Sequence, residues 1–527
     1  MAEERKEIRI AKQLDYKKTP SVDPKYRLTR LIQQTGGQVV QLNTAGGQES
    51  IFELPVKVFN LARSRINLQL QIAAPGAGIS NYIFGNTIYF WQNIQFYNRG
   101  GLLLVDLRYV QNYTNLVTLP ETNLEDFLTY GTYKAGTTGN IPATAATDAT
   151  GLGYMFQPSG AGDLFVSNGS VAVAAPNTSP IPTLVNYTNV RHDHNATLDN
   201  ASANDYADVK FNEVRYFVVG SANGATYINL SIPLSMFKNT LFDIDKDLYF
   251  NEIMLIRFVW NPIARIGFTS AAPAAAIIAQ NTVIQYNAEI PSPADSTTAP
   301  AALGANAVQI NNLSLTLALE DNQAVAQELI SKYYSGGITL LTPFVYADKY
   351  SLNASTSQTI TLRYNSIHGS SLIKLYYAPY NNTENLNTTY DHSNLVIGTQ
   401  ANPQYRPGSK VTQFYTALNN ERLQEFNLYS ANYDEWLLLK DSLRGSCILS
   451  SNVYYYNWFW KESFEHIRPP LDYNSEFDED NLIRGLSLAT EQKIDIFLTT
   501  PNAAYNHYSF AVTQKTLSIS PSGIMLV

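Results

Sequence analysis

The chain has 527 residues, of which 45% are hydrophobic, 12% aromatic and only 15% charged, with a formal net charge of −8. That length exceeds one ordinary domain, and low charge with abundant aromatics excludes a disordered chain or a coiled coil. The single cysteine, Cys447, excludes an intrachain disulfide framework and any multi-cysteine zinc site.

Residues 1–35 read as an N-terminal arm. The opening MAEERKEIRIAKQLDYKK has no apolar core of the kind a secretory signal needs, and no apolar run approaches the length of a membrane span. The first thirty residues carry nine Lys/Arg against five acids. Arg5, Lys6, Arg9, Lys12, Lys17 and Lys18 are candidates for contact with an anionic partner such as a nucleic acid or membrane surface. The competing reading is a solvated helix, because Glu3, Glu4 and Glu7 interleave with these bases at pairing distance.

After the arm, Ile51–Val58 and Ile66–Ile72 read as strands, the second alternating apolar residues with Asn67, Gln69 and Gln71. Thr87–Tyr97 is a long aromatic strand closed by Gly100–Gly101, and Leu102–Tyr130 reads as two helical pieces. Residues 131–210 lose periodicity and read as a long insertion. Phe211–Gly220, Thr226–Leu234 and Asn251–Trp260 are strands, with a short helix at Ser235–Thr240. Residues 269–305 form a second Ala/Pro/Ser/Thr-rich insertion, and Ala307–Asp321 closes the set with Leu313, Leu315, Leu317 and Leu319 in alternation. A helix near Asn322–Tyr334, ended by Gly336–Gly337, marks a boundary. A second strand set follows, with a helical stretch near Asn420–Ser442 and a final strand at Asn506–Ser518. The organisation is therefore an arm (1–35), a first β unit (36–321, insertions 131–210 and 269–305), a connecting helix and linker (322–337) and a second β unit (338–527). Strand density and turn composition predict an all-β fold: two consecutive eight-stranded jelly rolls with short helices and long loop insertions.

Chemical motifs are sparse. There is no phosphate-binding G-x-x-x-x-G-K-[ST] loop and no G-x-S-x-G elbow. His192, Asp193 and His194 offer an incomplete metal set inside the insertion. Asp243, Asp245 and Asp247 are spaced like the start of a calcium loop, but its glycine and late glutamate are missing, which favours a charged turn. Glu476–Asp480 reads as an acidic loop or intersubunit contact, and Tyr454–Trp460 as core on one face and subunit seam on the other. No catalytic, cofactor-binding or metal-binding residue is assigned, and no enzyme activity or small-molecule substrate is expected.

In its organisation, with a short arm, one roll ending near Asp321, the connecting helix and a second roll, and in the run NTIYFWQNIQFYNRGG, the chain resembles the double jelly-roll major capsid proteins of tailless icosahedral DNA viruses, in size and plan those of virophages and polinton-like viruses. The resemblance implies a homotrimer forming a pseudo-hexagonal capsomer of an icosahedral virion, made and assembled inside the host cell. It further implies contacts with neighbouring capsomers, penton and minor capsid proteins, outward towers from 131–210 and 269–305, and an inner-face arm in weak contact with the genome or an internal membrane. The alternative function is a carbohydrate-binding or carbohydrate-cleaving β-sandwich, which requires an aromatic cleft with two carboxylates.

Overall fold

The computed structural model describes residues 24–34, 39–73, 81–85, 90–113, 137–139, 216–220, 226–270, 284–285, 301–305, 307–363, 371–381, 413–422, 428–429, 460–463, 486–487 and 493–527. The first unit is built on β1 (Tyr26–Ile32), β3 (Glu49–Leu54), β4 (Phe59–Ile72), β6 (Trp91–Asn98), β7 (Leu103–Arg108), β10 (Thr226–Pro233), β12 (Met254–Trp260) and β16 (Val308–Glu320). One sheet runs β1-β16-β4-β10 and the other β3-β12-β6-β7. Counting these eight strands along the chain, the orders are 1-8-3-6 and 2-7-4-5, with every pairing antiparallel. That connectivity is a jelly roll, two interlocked Greek keys. Three short strands extend its sheets: β2 (Val40–Gln41) on β16, β8 (Thr137–Gly139) on β10 and β11 (Asp247–Leu248) on β4.

Side-chain alternation explains which faces close. On β16, Leu313, Leu315, Leu317 and Leu319 are buried, as are Val308 and Ile310 at the other parity. The change of parity falls at a register shift between Asn311 and Ser314, where Asn312 takes a φ of 51°. One extra residue at this bulge keeps both halves of the strand facing the core. The core below is aromatic: Trp91 lies 5.3 Å from Phe258 and 5.9 Å from Trp260, and the Trp260 indole N–H donates to Ser50 Oγ at 2.9 Å. Burying each such ring contributes roughly 2–3 kcal/mol.

The second unit repeats the plan with longer strands. β17 (Ile338–Arg363) and β24 (Lys493–Ser520) pair along their whole lengths, from Ile338 opposite Ile519 to Arg363 opposite Lys493. Register shifts around Ser355 divide each strand in two. The N-terminal half of β17 and the C-terminal half of β24 join β18 (Ser371–Asn381) and β22 (Trp460–Ser463). The other halves join β19 (Gln413–Leu418), which also pairs β20 (Glu421–Arg422) and β21 (Leu428–Tyr429). Counted as eight strands, the orders are again 1-8-3-6 and 2-7-4-5. Strands 1 and 2, and strands 7 and 8, are continuous here, so the two sheets of this roll connect through bent strands. β23 (Leu486–Ser487) adds to β18, and β25 (Gly523–Leu526) folds back on β24.

Between the rolls lies helix α2 (Gln323–Ser335), the second helix after the single turn α1 (Val110–Tyr113). Asn322 caps α2 by accepting from the Ala324 N–H at 3.1 Å, and the helix stops at Gly336–Gly337. Gly337 has a φ of +83°, and a Cβ there would meet the Ile519 carbonyl oxygen at 3.0 Å, so both conformation and space select glycine.

Several expectations change. Tyr26–Ile32, assigned to the arm, is the first strand, paired with β16 from Tyr26–Glu320 to Ile32–Ser314. Its sequence shows no clean alternation because its outward face carries Leu28 and Ile32, both exposed. Leu103–Arg108 is a strand and not helix: the Gly100–Gly101 turn folds it onto β6 as a hairpin, and Leu104, Val105 and Leu107 are buried. The helix expected at Ser235–Thr240 is replaced by two 3₁₀ turns, Leu234–Met236 and Leu241–Asp243. The stretch from Asn420 opens with strand pairing at Glu421–Arg422 and Leu428–Tyr429, its remainder lying outside the described residues. The second insertion also contributes to a third sheet: β5 (Asn81–Gly85), β9 (Tyr216–Gly220), β13 (Gly267–Ser270), β14 (Ile284–Gln285) and β15 (Ala301–Ala302) pair in the order β14-β9-β5-β13-β15.

Candidate functional site

The seam between the rolls is built from side chains of both rolls and of the connecting helix. It starts at the end of β7, the free edge of the first roll's 2-7-4-5 sheet. Tyr109 takes a left-handed φ of 54° and turns the chain into α1, all of whose residues are buried. Gln111 donates to the Arg265 carbonyl at 2.9 Å, and the Tyr113 hydroxyl donates to the Lys238 carbonyl, so this turn is fixed to its own roll. Tyr109 then meets Tyr508 edge-on at 5.1 Å, and Tyr113 meets Phe510 edge-on at 5.3 Å. Tyr508, Phe510 and Val512 share one face of β24, and their neighbours Tyr376 and Lys374 share it on β18. All five are fully buried. Lys349 Nζ sits 5.3 Å from the Tyr508 ring centre, a cation–π contact. A further edge-on pair, Tyr249 with Tyr333 of α2 at 5.1 Å, joins the connecting helix to the first roll. Aromatic pairs of this geometry add about 0.5–1.5 kcal/mol each beyond the area they bury.

The titratable groups beside the seam are shifted mainly by burial. Burial raises the Asp348 carboxyl, partly opposed by Arg108, and pushes the Tyr350 hydroxyl up to about 12. His507 points to the opposite face of β24 from Tyr508, 5.7 Å from the Tyr377 ring. Burial pushes its imidazole down to about 3, and neither ring nitrogen has a hydrogen-bond partner among the described residues.

The three aspartates spaced like a calcium loop diverge. Asp243 pairs with Lys238 at 2.9 Å. Asp245 receives both Arg63 Nε (2.8 Å) and Nη2 (2.7 Å), and that bonding holds its carboxyl below the usual range. Asp247 accepts from the Tyr26 hydroxyl at 2.8 Å, and burial raises its carboxyl. Asn60 bridges Asp245 (2.8 Å) and Asp247 (3.2 Å). The group is a clasp that ties β1 to β4 and β11. Among the described residues no cluster of three or more His, Cys, Asp or Glu is arranged to hold a metal.

Arg5, Lys6, Arg9, Lys12, Lys17 and Lys18 lie outside the described residues, as do His192, Asp193, His194, Cys447 and Glu476–Asp480. Of the aromatic run Tyr454–Trp460, only Trp460 is described, as the first residue of β22. The seam residues Tyr109, Tyr508 and Phe510 escaped sequence reasoning. Their signal is the run Tyr505–Val512, buried at every position, which marks a strand covered on both faces.

No protein-family model matches the sequence, and no curated protein is similar to it. Solved structures are. The Faustovirus major capsid protein aligns over 97% of this chain and 93% of its own at 9% identity (TM-score 0.49). The PBCV-1 virus capsid aligns over 97% and 99% at 10% identity (TM-score 0.45). The mavirus major capsid protein aligns over 100% and 96% at 8% identity (TM-score 0.41). The fold assignment rests on the strand connectivity itself: two successive sets of eight strands, each in the orders 1-8-3-6 and 2-7-4-5, make this chain a double jelly-roll protein, similar over nearly its whole length to viral major capsid proteins.

Proposed function

We propose that the chain is a structural shell protein, the major capsid protein of an icosahedral virion. The observation that carries this reading is the joining of two jelly rolls by a seam of aromatic residues, of which Tyr113, Tyr376, Tyr508 and Phe510 are fully buried and Tyr109 partly so. Among the described residues that seam consists of packed rings. It fixes the relative position of two sandwiches, which is what a repeating tile needs. On this reading the chain forms homotrimers, six rolls to a pseudo-hexagonal capsomer, and capsomers meet one another, pentons and minor capsid proteins through many modest contacts that add by multivalency. The arm residues Arg5, Lys6, Arg9, Lys12, Lys17 and Lys18 face the shell interior, toward genome or internal membrane. Assembly takes place inside the host cell.

The test is the mass of the purified chain by light scattering. Three chains of 58.7 kDa give about 176 kDa, and electron microscopy of that species should show a flat, near-hexagonal outline. A chain that stays monomeric at micromolar concentration would refute the tile.

A further inference from the structure

Three segments of the chain converge on one pair of carboxyl groups at the end of the first roll. Tyr26, the first residue of β1, lies opposite Glu320, the last residue of β16. Glu320 Oε1 accepts from the Lys25 N–H at 2.9 Å and from the Asn322 N–H at 2.7 Å, so one oxygen holds both the chain entering β1 and the chain entering α2. The partner carboxyl is Asp247 on β11, whose Oδ1 accepts from the Tyr26 hydroxyl at 2.8 Å and from Asn60 Nδ2 at 3.2 Å. The side chains of Asp247 and Glu320 lie within hydrogen-bonding reach of each other. Glu320 Oε2 is buried, and no donor meets it among the described residues. An ionised carboxyl only accepts, so the contact lacks a donor while both groups are ionised, and one proton supplies it.

We propose that Asp247 and Glu320 share one proton and act as a pH-operated latch on the first residues of β1. With the proton in place one carboxyl donates to the other, and Lys25, Tyr26 and the start of α2 are held in one hydrogen-bonded unit. Without it, two like charges face each other in a half-buried site, and parting β1 from β16 at the Tyr26 end relieves the repulsion. The same end of the strand is also tied by the Asp321 N–H, which donates to the Lys25 carbonyl at 2.6 Å, and by the Arg27–Asp321 pair at 3.8 Å. The side chains of that ion pair are more than half exposed, so it adds little. The inference goes beyond the shell reading and does not depend on it.

The surroundings decide which group titrates. From β4, Arg63 donates twice to Asp245, and this bonding, helped by Lys246, keeps that carboxyl below the usual range; the same guanidinium sits 4.8 Å from the Tyr26 ring centre. From β1, burial and then Asp247 raise the Tyr26 hydroxyl, so it remains a donor. Burial raises the Asp247 carboxyl, the Tyr26 and Asn60 hydrogen bonds oppose it, and the charge and contact of Glu320 raise it further. A folded value above the unfolded one sets the sign. The proton's contribution is complete below the ordinary carboxylate range and is lost as pH rises through the folded value. Acid therefore closes the start of β1 and alkali loosens it, the reverse of the trend that burial of His507 gives the second roll.

The experiment is amide hydrogen exchange of the full chain, read by mass spectrometry on the peptide covering Tyr26–Ile32 from about pH 5 to about pH 8, with the intrinsic exchange rate divided out. The expected wild-type result is an opening constant that rises with pH, by up to about tenfold per pH unit where the pair gives up its proton. Asp247→Asn and Glu320→Gln each place a permanent N–H donor between the two groups at nearly unchanged size. Both variants should stay closed across the whole range with the pH dependence gone, while Asp321→Asn should keep the wild-type dependence. A flat wild-type profile, a pH dependence that survives in both amide variants, a strand open at every pH in both of them, or loss of the dependence in Asp321→Asn overturns the latch. Where one amide variant fails to fold, the other and the wild-type profile still decide. The shell reading is judged separately, by the oligomeric mass.

Discussion

His507 gives the second roll a measurable acid sensitivity. Its imidazole is fully buried and unprotonated, with no hydrogen-bond partner for either nitrogen among the described residues. Burial holds its folded pKa at about 3, whereas the unfolded chain titrates it near the ordinary value of 6.5. The folded pKa is the lower of the two, so below pH 6.5 the unfolded state binds the proton first. Stability is then lost as pH falls from 6.5 toward 3. Linkage gives a loss of about 2 kcal/mol at pH 5, and about 4 kcal/mol once pH 3 is reached. His507→Leu removes the titrating group and the orphaned nitrogens at similar volume. At pH 7 the variant should be as stable as wild type or slightly more so, because two buried unpaired polar atoms disappear. Urea denaturation at pH 7 and pH 5 would measure the difference between the two proteins. The carboxylates that also titrate in this range are common to both and cancel. The stability advantage of the variant should grow by about 2 kcal/mol on acidification. Parallel losses in the two proteins would show that His507 is not buried neutral, and the reasoning would fail.

Further outcomes follow from the same structure. Phe510→Ala removes a fully buried ring from the seam and should cost about 3–5 kcal/mol, with calorimetry resolving two transitions where the intact seam gives one. Removing residues 2–23 should leave the thermal midpoint unchanged. Removing 2–32 strips β1 from Leu315, Leu317 and Leu319 and should abolish cooperative unfolding of the first roll. Gly337→Ala forces a Cβ into the left-handed region against the Ile519 carbonyl and should cost about 1–3 kcal/mol, read as a lowered midpoint.

Much of the fold is legible where a strand has one dry face and one wet one. Ile66–Leu70 alternates buried Ile66, Leu68 and Leu70 with half-buried Asn67 and Gln69, as the pattern demands, while on Leu313–Leu319 the four leucines face the core although Ser314 and Ala318 on the other face are buried too. Legibility fails where that condition fails. Leu102–Leu107 is apolar at nearly every position, so periodicity could not separate helix from strand. Only the Gly100–Gly101 turn behind Trp91–Asn98 carried the answer. Tyr26–Ile32 was hidden because its outward face is apolar too. The seam was hidden because Tyr505–Val512 lies between two surfaces, one of them more than a hundred residues away in sequence. The aspartates of 243–247 were read correctly as a charged turn, but their partners Arg63, Asn60 and Tyr26 come from distant strands that no local spacing reveals.

The insertions follow the same logic of long-range closure. In the first roll, three of the long connections are β4 to β6, β7 to β10 and β12 to β16, while β3–β4 and β6–β7 join within a few residues. Segments of these three connections, β5, β9 and β13 to β15, meet in the third sheet, so they leave the roll at one end. Elaborating one end costs little, since closure entropy grows only with the logarithm of length. Residues 140–215 connect β8 to β9 and lie outside the described residues. Shortening that connection to about a quarter of its length, by removing residues from within 140–205, halves it twice and should change stability by only about 1 kcal/mol. The variant should keep the wild-type urea midpoint to within that margin, because the described strand pairings of both rolls are made by residues outside 140–205. Loss of cooperative unfolding would mean that the insertion is part of the first roll's core and that the two sandwiches do not stand without it.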